Sequence, residues 1–266
     1  MDAAWVETAE RISLPMYAVD DLEVPLVIAG MDARLERDTL WEEHSHPTHE
    51  LLWSARGAST VTIGARTWTV TPAHGVWIPA GVPHAAAARA GTWYCTAHFG
   101  PSRVPAIAAD PVGVRVTPLL RLLLERLGDR ALPASSRSLA EAMVIDVLEP
   151  SPHALLVESP ASELLRPIVA ALRADPADPR TLESWSTTLG VSSRTLTRAF
   201  CAETGVGFAR WVARVRAHHA LGLIAAGARL EDVAEATGYG SVSAFGAAFR
   251  RETGLTPGAF AAGQVA

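Results

Sequence analysis

Two seven-residue segments of the sequence, AFCAETG at 199–205 and AFRRETG at 248–254, resemble each other 49 positions apart. Each follows a short amphipathic segment that ends at a glycine, LESWSTTLG at 182–190 and LEDVAEATG at 230–238. Gly190 and Gly238 stand where a left-handed residue ends a helix. Ser192 and Ser241 then offer a side-chain oxygen that caps the next helix. Helix, short turn with glycine and second helix form a helix-turn-helix, so the sequence predicts two such units.

The residues between the two units, Phe208–Ile224, predict one long helix with Trp211, Val212, Val215 and Leu223 on its buried side. Such a connector holds two recognition helices at a fixed separation. Both helices can enter the major groove on one face of DNA when about 34 Å separates them. The alternative is a helical bundle that repeats without binding DNA.

Residues 163–262 resemble the DNA-binding domain of the AraC/XylS family of bacterial transcription regulators. The resemblance implies a promoter-binding protein whose recognition helices are Ser193–Cys201 and Val242–Arg250. In the first helix Arg194, Thr197 and Arg198 would face outward. Arg194 and Arg198 are i, i+4 neighbours, and either can bind guanine O6 and N7 bidentately or hold a phosphate.

The second unit carries shorter outward side chains, at Val242, Ser243, Gly246 and Ala247, where the family commonly has longer polar ones. Val242 suits a thymine methyl group, and Ser243 a base edge or a phosphate. We therefore expect the first unit to set sequence choice and the second to anchor on phosphates. The predicted DNA-contacting residues are Ser193, Arg194, Thr197, Arg198, Val242, Ser243, Arg250 and Arg251.

Upstream of the repeats the sequence changes character. Residues 22–100 hold short β-branched and aromatic runs broken by glycine and proline, which predicts an antiparallel barrel or sandwich. Helical periodicity follows at Leu119–Leu127 and near Ser138–Leu148, and Pro150–Pro160 predicts a linker. We expect three divisions: a β domain at 1–110, a helical dimerisation segment and linker at 111–160, and the DNA-binding domain at 161–266.

Six of the nine histidines lie between residues 44 and 98. His44, His46 and Glu50 form the pattern HxHx3Ex6G, and His84 ends the pattern PxGxxH. Strand alternation would place His44, His46 and Glu50 on one face. Imidazole suits Zn, Ni, Cu and Fe, and three histidines with one carboxylate satisfy any of them. The remaining histidines of this region are assigned mainly to structure, although His98 follows a strand-like run and could instead line the barrel. We expect Trp53, Trp68, Trp77 and Trp93 in the core of the barrel and not in a ligand cage.

Both histidine patterns match the two motifs of a cupin barrel, and the resemblance covers residues 20–100. It implies that His44, His46, Glu50 and His84 bind one divalent transition metal, which would be Zn, Ni, Fe or Mn. In related regulators such polar residues instead line a pocket for a small organic effector, and both readings stay open. The predicted fold is an all-β cupin domain followed by an all-α domain with two helix-turn-helix units.

Charge and composition limit the other functions. The net charge is −5, but residues 1–160 hold 12 Arg against 19 acids, whereas residues 161–266 hold 11 Arg against 9. This asymmetry is expected when only one end of the chain binds a polyanion. Cys95 and Cys201 lie far apart, which excludes a disulfide scaffold or a cysteine zinc finger. Residues 67–88 are the longest uncharged stretch, and their three prolines argue against a membrane span. Met1–Glu10 contains acidic residues and no apolar segment, which argues against a secretory signal. We expect a cytoplasmic protein.

Together these patterns predict a transcription regulator that senses a small molecule or a divalent metal. Residues 119–148 would form a homodimer, or would pack only against their own barrel. The rival class is a metal-dependent enzyme of the oxygenase or isomerase type fused to a DNA-binding domain.

Overall fold

The computed structural model describes residues 8–19, 21, 28–129, 131–151 and 155–262. They form two compact units. Within the described residues, 9–64 and 68–151 make a β unit, while 155–262 together with Ala65–Thr67 make a helical unit. Residues 22–27 of the predicted β region, and Pro152 in the predicted linker, lie outside the described residues. No helix of the described chain is long and apolar enough to cross a membrane.

The strands of the β unit form two sheets. They are β1 (Glu10–Ile12), β2 (Ile28–Arg34), β3 (Thr39–His44), β4 (His49–Arg56), β5 (Ser59–Ile63), β6 (Arg66–Val70), β7 (His74–Ile78), β8 (His84–Ala88), β9 (Trp93–Phe99) and β10 (Val112–Arg115). One sheet places β1-β3-β8-β5-β6 side by side, and the other has the order β10-β7-β4-β9-β2. β1 runs parallel to β3, whereas β3, β8 and β5 and all neighbours in the second sheet are antiparallel.

Contacts between the sheets show that they pack face to face. Trp41 of β3 stacks on Tyr94 of β9 with ring centroids 4.4 Å apart, and the hydroxyls of Ser54 and Ser59 lie 2.9 Å apart. The opposite face of the second sheet carries Trp77 and Phe99, both fully buried. The predicted burial of Trp53, Trp68 and Trp77 is confirmed. It is wrong for Trp93, which is 45% exposed because it begins β9 and donates its indole N–H outward to Asp32.

Two helices complete the β unit, α1 (Pro118–Leu127) and α2 (Ala134–Val147). The Thr117 hydroxyl caps α1 by accepting from Leu120 N, and proline stands in its first turn, where no intrahelical N–H bond is lost. Leu120, Leu124 and Leu127 bury one side of α1, as the periodicity predicts.

The helical unit begins with a strand, β11 (Leu155–Glu158), inside the segment predicted to be a linker. Over residues 155–262 seven helices follow: α3 (Arg166–Ala174), α4 (Leu182–Leu189), α5 (Ser193–Thr204), α6 (Phe208–Ala225), α7 (Leu230–Ala236), α8 (Val242–Thr253) and α9 (Pro257–Ala262). These confirm the predicted helix-turn-helix pairs α4–α5 and α7–α8 and the connector α6. Both recognition helices run one turn or so beyond the predicted ends.

The core of the first helix-turn-helix packs against the connector. Leu165, Ile168, Trp185 and Phe200 form a buried cluster with Trp211, whose indole N–H donates to the Glu158 carbonyl at 2.7 Å. The prediction for α6 is confirmed at Trp211. Val212, Val215 and Leu223 are only half-buried, because the connector turns its small residues Ala213, Ala217 and Ala220 inward.

Candidate metal centre and nucleic-acid interface

The structure brings together all four side chains predicted to hold a metal. His44 ends β3 opposite His84, which begins β8 in the same sheet. Glu50 lies on β4 in the other sheet. His46 belongs to neither strand, because the chain crosses from one sheet to the other between His44 and His49. The predicted alternation along one strand is therefore wrong, and the crossover is what turns His46 towards its neighbours.

The distances within this cluster are short. The ring centroid of His44 lies 4.3 Å from that of His84 and 4.9 Å from that of His46, and the nearest imidazole nitrogens of all three residues lie within 4.8 Å of one another. Oε2 of Glu50 is 3.2 Å from Nε2 of His84 and 3.6 Å from Nε2 of His46. The side chains of His84 and Glu50 are almost fully buried, while that of His46 is 21% exposed.

Backbone carbonyls orient two of the histidines. Nδ1 of His44 lies 2.7 Å from the Glu42 oxygen, and Nδ1 of His84 lies 3.0 Å from the Val82 oxygen. Because a carbonyl only accepts, each Nδ1 donates, and Nε2 remains the nitrogen that faces the cluster. This is the arrangement by which proteins fix the tautomer of metal-binding histidines.

Charge in the cluster also suits a cation. Burial raises the pKa of Glu50, but the imidazoles of His84, His98 and His46 outweigh it and hold that pKa at about 2. Burial lowers the pKa of His46 to about 4, so at neutral pH Glu50 is ionised and His46 is neutral. Burial also lowers the pKa of His84, and Glu50 more than compensates, which leaves it raised.

Two buried atoms of the cluster, Oε2 of Glu50 and Nε2 of His84, face each other at 3.2 Å. Apart from this ion-pair contact and that of Glu50 with His46, neither atom makes a hydrogen bond within the described residues. A buried polar atom left without a full hydrogen bond costs about 1–3 kcal/mol, and more when it is charged. Three imidazole nitrogens and a carboxylate oxygen that converge in this way fit a divalent transition metal.

His98 of β9 is a neighbour of the cluster that the motifs do not include. Its Cα lies opposite that of Glu50, and its ring centroid is 4.9 Å from that of His46. The other two histidines of the region are elsewhere. Nδ1 of the buried His49 accepts from Ala80 N at 2.9 Å, which ties β4 to the loop after β7, and His74 is half-buried at the start of β7. The strand-like run before His98 favoured the barrel lining only as an alternative, because the register between β4 and β9 is what places it opposite Glu50.

The first helix-turn-helix presents two arginines to solvent. Gly190 ends α4 with φ of 66°, and the Ser192 hydroxyl caps α5 by accepting from Thr195 N, both as predicted. Arg194 and Arg198 are exposed one turn apart on α5, and neither guanidinium has an ion pair or hydrogen bond within the described chain.

Around the arginines, the exposed Thr197 donates its hydroxyl back to the Ser193 carbonyl at 2.9 Å. Ser193 is half-buried, and its hydroxyl donates to that of Ser186 on α4 at 3.2 Å. Its side chain therefore joins the two helices of the unit.

In the second helix-turn-helix the arginines lie at the end of the recognition helix, whereas in the first they lie near its start. Gly238 adopts φ of 72°, and the Ser241 hydroxyl caps α8. Ser243 and Ala247 are exposed in the first turns, and Val242 and Gly246 are half-buried. The exposed charges come in the last turn, where Arg251 contacts the buried carboxylate of Glu252 at 3.1 Å and Arg250 is exposed without an ion pair among the described residues.

Comparison with known proteins agrees with this architecture. Residues 25–169 match the family model of the AraC-like ligand binding domain, and residues 185–263 match that of a helix-turn-helix domain. The chain is 28% identical over 223 residues to the HTH-type transcriptional regulator NimR of Escherichia coli, which covers 82% of this chain and 81% of that protein. It is 39% identical over 106 residues to the HTH-type transcriptional regulator RipA of Corynebacterium glutamicum, covering 40% and 32% of the two chains.

Among solved structures, ToxT from Vibrio cholerae matches over 90% of this chain and 99% of its own, with a TM-score of 0.38 and 10% identity. The ligand-binding model alone spans more than half of the sequence, and the helix-turn-helix model covers both recognition helices. The chain is therefore a member of the AraC family of transcription regulators, with a ligand-binding β domain followed by a helix-turn-helix DNA-binding domain.

Proposed function

We propose that this regulator binds promoter DNA with unequal contributions from its two recognition helices, and that its β unit senses a divalent metal or an effector held at the histidine cluster. The observation that carries the DNA-binding part is the pair of exposed, unpaired arginines Arg194 and Arg198 on α5. An Arg bound bidentately to guanine contributes about 1–3 kcal/mol of discrimination.

In this proposal α5 selects the sequence and α8 anchors the protein. Arg194 and Arg198 contact guanines, with Ser193 and Thr197 beside them. Ala247 offers no hydrogen bond at the position that corresponds to Arg198. For α8, Val242 contacts a thymine methyl group, Ser243 a base edge or phosphate, and Arg250 and Arg251 the phosphates.

The test uses duplexes of a selected operator and variants of the full chain. We expect Arg198→Ala to lose about 1–3 kcal/mol of discrimination at one base pair. Arg250→Ala should weaken binding to all sequences alike and reduce the salt dependence of affinity. Arg103→Ala, which removes an exposed arginine from the loop after β9, is the matched control. Equal changes of selectivity in Arg198→Ala and Ala247→Arg would contradict the unequal roles.

For the β unit we propose that His44, His46, Glu50 and His84 hold one divalent ion, Zn, Ni, Fe or Mn. The support is the convergence of three imidazole nitrogens within 4.8 Å of one another, with a buried carboxylate oxygen 3.2 Å from one of them and 3.6 Å from another. A bound ion would place a full positive charge beside this carboxylate and would offer an open coordination position to an effector.

Elemental analysis of untagged protein prepared without chelators tests this directly. We expect close to one equivalent of metal per chain, lost in His84→Ala. Metal-free protein that still folds and binds DNA would overturn the metal site and favour an organic effector in the same pocket. Turnover of a candidate effector by the metal-loaded protein would instead favour the enzyme class, which the family assignment makes the weaker alternative.

We also propose that the regulator is a homodimer formed through α1 and α2. Four large apolar side chains on these helices are exposed, namely Leu119, Leu122, Leu139 and Met143. Such exposure is typical of an interaction surface.

A protein that binds promoters works where the chromosome is, so we place it in the cytoplasm.

A further inference from the structure

The four candidate ligands differ in how firmly the fold holds them. His44 and His84 are each fixed by a carbonyl at Nδ1, and Glu50 is buried. Within the described residues neither ring nitrogen of His46 makes a hydrogen bond, and its side chain is 21% exposed against 3% for Glu50. The direction of the His46 imidazole must therefore come from the rings packed against it.

His98 is one of these rings, and it is anchored at both nitrogens. Nδ1 lies 3.0 Å from the hydroxyl of Thr48, and Nε2 lies 3.4 Å from that of Thr96. Both threonines are buried. The ring of His98 stands at 80° to that of His46, with centroids 4.9 Å apart. A ring held at both ends thus lies against the one candidate histidine ligand whose ring makes no hydrogen bond among the described residues.

Building on the metal site proposed above, we propose that His98 is a positioning residue, which directs the His46 imidazole towards the ion and thereby sets how tightly the site binds it. Both nitrogens of His98 are engaged by hydroxyl groups, so what the residue offers to the site is its ring surface and not a lone pair. His98 also stands outside the three histidines whose nitrogens converge. Loss of a residue that orients a metal ligand typically costs 10–100-fold in metal affinity.

Two substitutions of His98 in the full chain separate positioning from coordination. The dissociation constant for Zn²⁺ is measured by competition with a chromophoric chelator. We expect His98→Ala to keep one site per chain but to bind about 10–100-fold more weakly. We expect His98→Phe to stay within a few-fold of wild type, because a ring remains against His46. The visible spectrum of the Co²⁺ form should change in His98→Ala and persist in His98→Phe.

Other affinities of these variants would contradict the proposed role of His98. Equal losses in His98→Ala and His98→Phe would mean that the site depends on the nitrogens of His98 and not on its ring surface. Unchanged affinity in His98→Ala would mean that it does not position His46. Either result leaves the metal site standing, whereas wild-type protein that binds no Zn²⁺ overturns the site and the role of His98 together. If His98→Ala does not fold, Thr48→Val frees Nδ1 of His98 while keeping the ring, and we expect a smaller loss of affinity.

Discussion

At the scale of single residues, the turn glycines of the two helix-turn-helix units have different surroundings. A Cβ added at Gly190 has no neighbouring atom within 4 Å. Gly190→Ala therefore costs only the free energy of placing alanine in the left-handed backbone conformation, about 1–2 kcal/mol. At Gly238 the added Cβ would lie 2.9 Å from Nη2 of Arg216 and 3.0 Å from the backbone of Ala177. We expect Gly238→Ala to destabilise the protein by about 1–3 kcal/mol more than Gly190→Ala. Thermal unfolding followed by far-ultraviolet circular dichroism compares them, and equal melting temperatures would contradict the crowding.

A second residue-scale prediction concerns pH. The guanidinium of Arg180 hydrogen-bonds both carboxylate oxygens of Asp178 and lowers the pKa of that carboxyl. A carboxyl whose pKa is depressed by folding stabilises the protein above its unfolded pKa, about 3.9, and this stability is lost as pH falls through the folded value. We expect Asp178→Asn to reduce the acid dependence of the free energy of unfolding, measured with urea below about pH 5. Glu231→Gln, which removes an exposed carboxylate, should leave it unchanged.

Single residues also show what the sequence could and could not predict. The spacing of His44, His46, Glu50 and His84 identified the candidate ligands, because the two motifs describe local loops and strand ends. The burial of a side chain at the end of a strand depends on neighbours far along the chain, so Trp93 was assigned wrongly to the core. His98 could not be assigned for the same reason, since one sequence does not contain the register that sets it opposite Glu50.

At the scale of elements, the recognition helices depend on their first residues. The hydroxyls of Ser192 and Ser241 each accept from the backbone three residues on, and loss of such a cap costs about 1 kcal/mol. We expect Ser192→Ala to destabilise the protein by this amount and Ser192→Asn to restore it. Ser192→Asp should also restore stability, but it should weaken binding to DNA because its charge lies where the helix approaches phosphates. Urea unfolding measures the effect on stability, and titration with duplex DNA measures the effect on binding, in the same variants. Full DNA affinity in Ser192→Asp would mean that this end of the helix lies away from the DNA phosphates.

The helices were easier to predict than the strands, for a physical reason. Caps and left-handed glycines are local, so the turns at Gly190 and Gly238 followed from neighbouring residues alone. The strand β11, LLVE at Leu155–Glu158, lies among prolines in a segment predicted to be a linker. Four apolar-rich residues become a strand only when a partner strand from elsewhere in the chain is available, and that partner is not visible in the local sequence.

At the scale of the whole molecule, the two units use charged groups in opposite ways. The β unit buries a carboxylate among imidazoles, the arrangement from which we proposed a site for a divalent metal or an effector. The helical unit leaves Arg194 and Arg198 exposed and unpaired, which suits a polyanion. A ligand of the first unit changes DNA binding only if its affinity differs between two states of the protein. The sequence predicted both units, but it contains no information on which ligand makes that difference.

The proposed dimer gives the prediction that belongs to the whole molecule. Leu122 of α1 is 59% exposed and Leu139 of α2 is 68% exposed, and a charge at either position would have to be desolvated if a second copy covered it. We expect Leu122→Asp and Leu139→Asp to shift sedimentation from dimer to monomer without lowering the melting temperature. Affinity for an operator with two sites should then fall through loss of avidity, whereas affinity for a single site should not. Ser102→Asp, an exposed position in the loop after β9 and outside both helices, is the matched control and should remain dimeric. Sedimentation of both leucine variants as wild type would mean that these helices serve only to cover their own sheet.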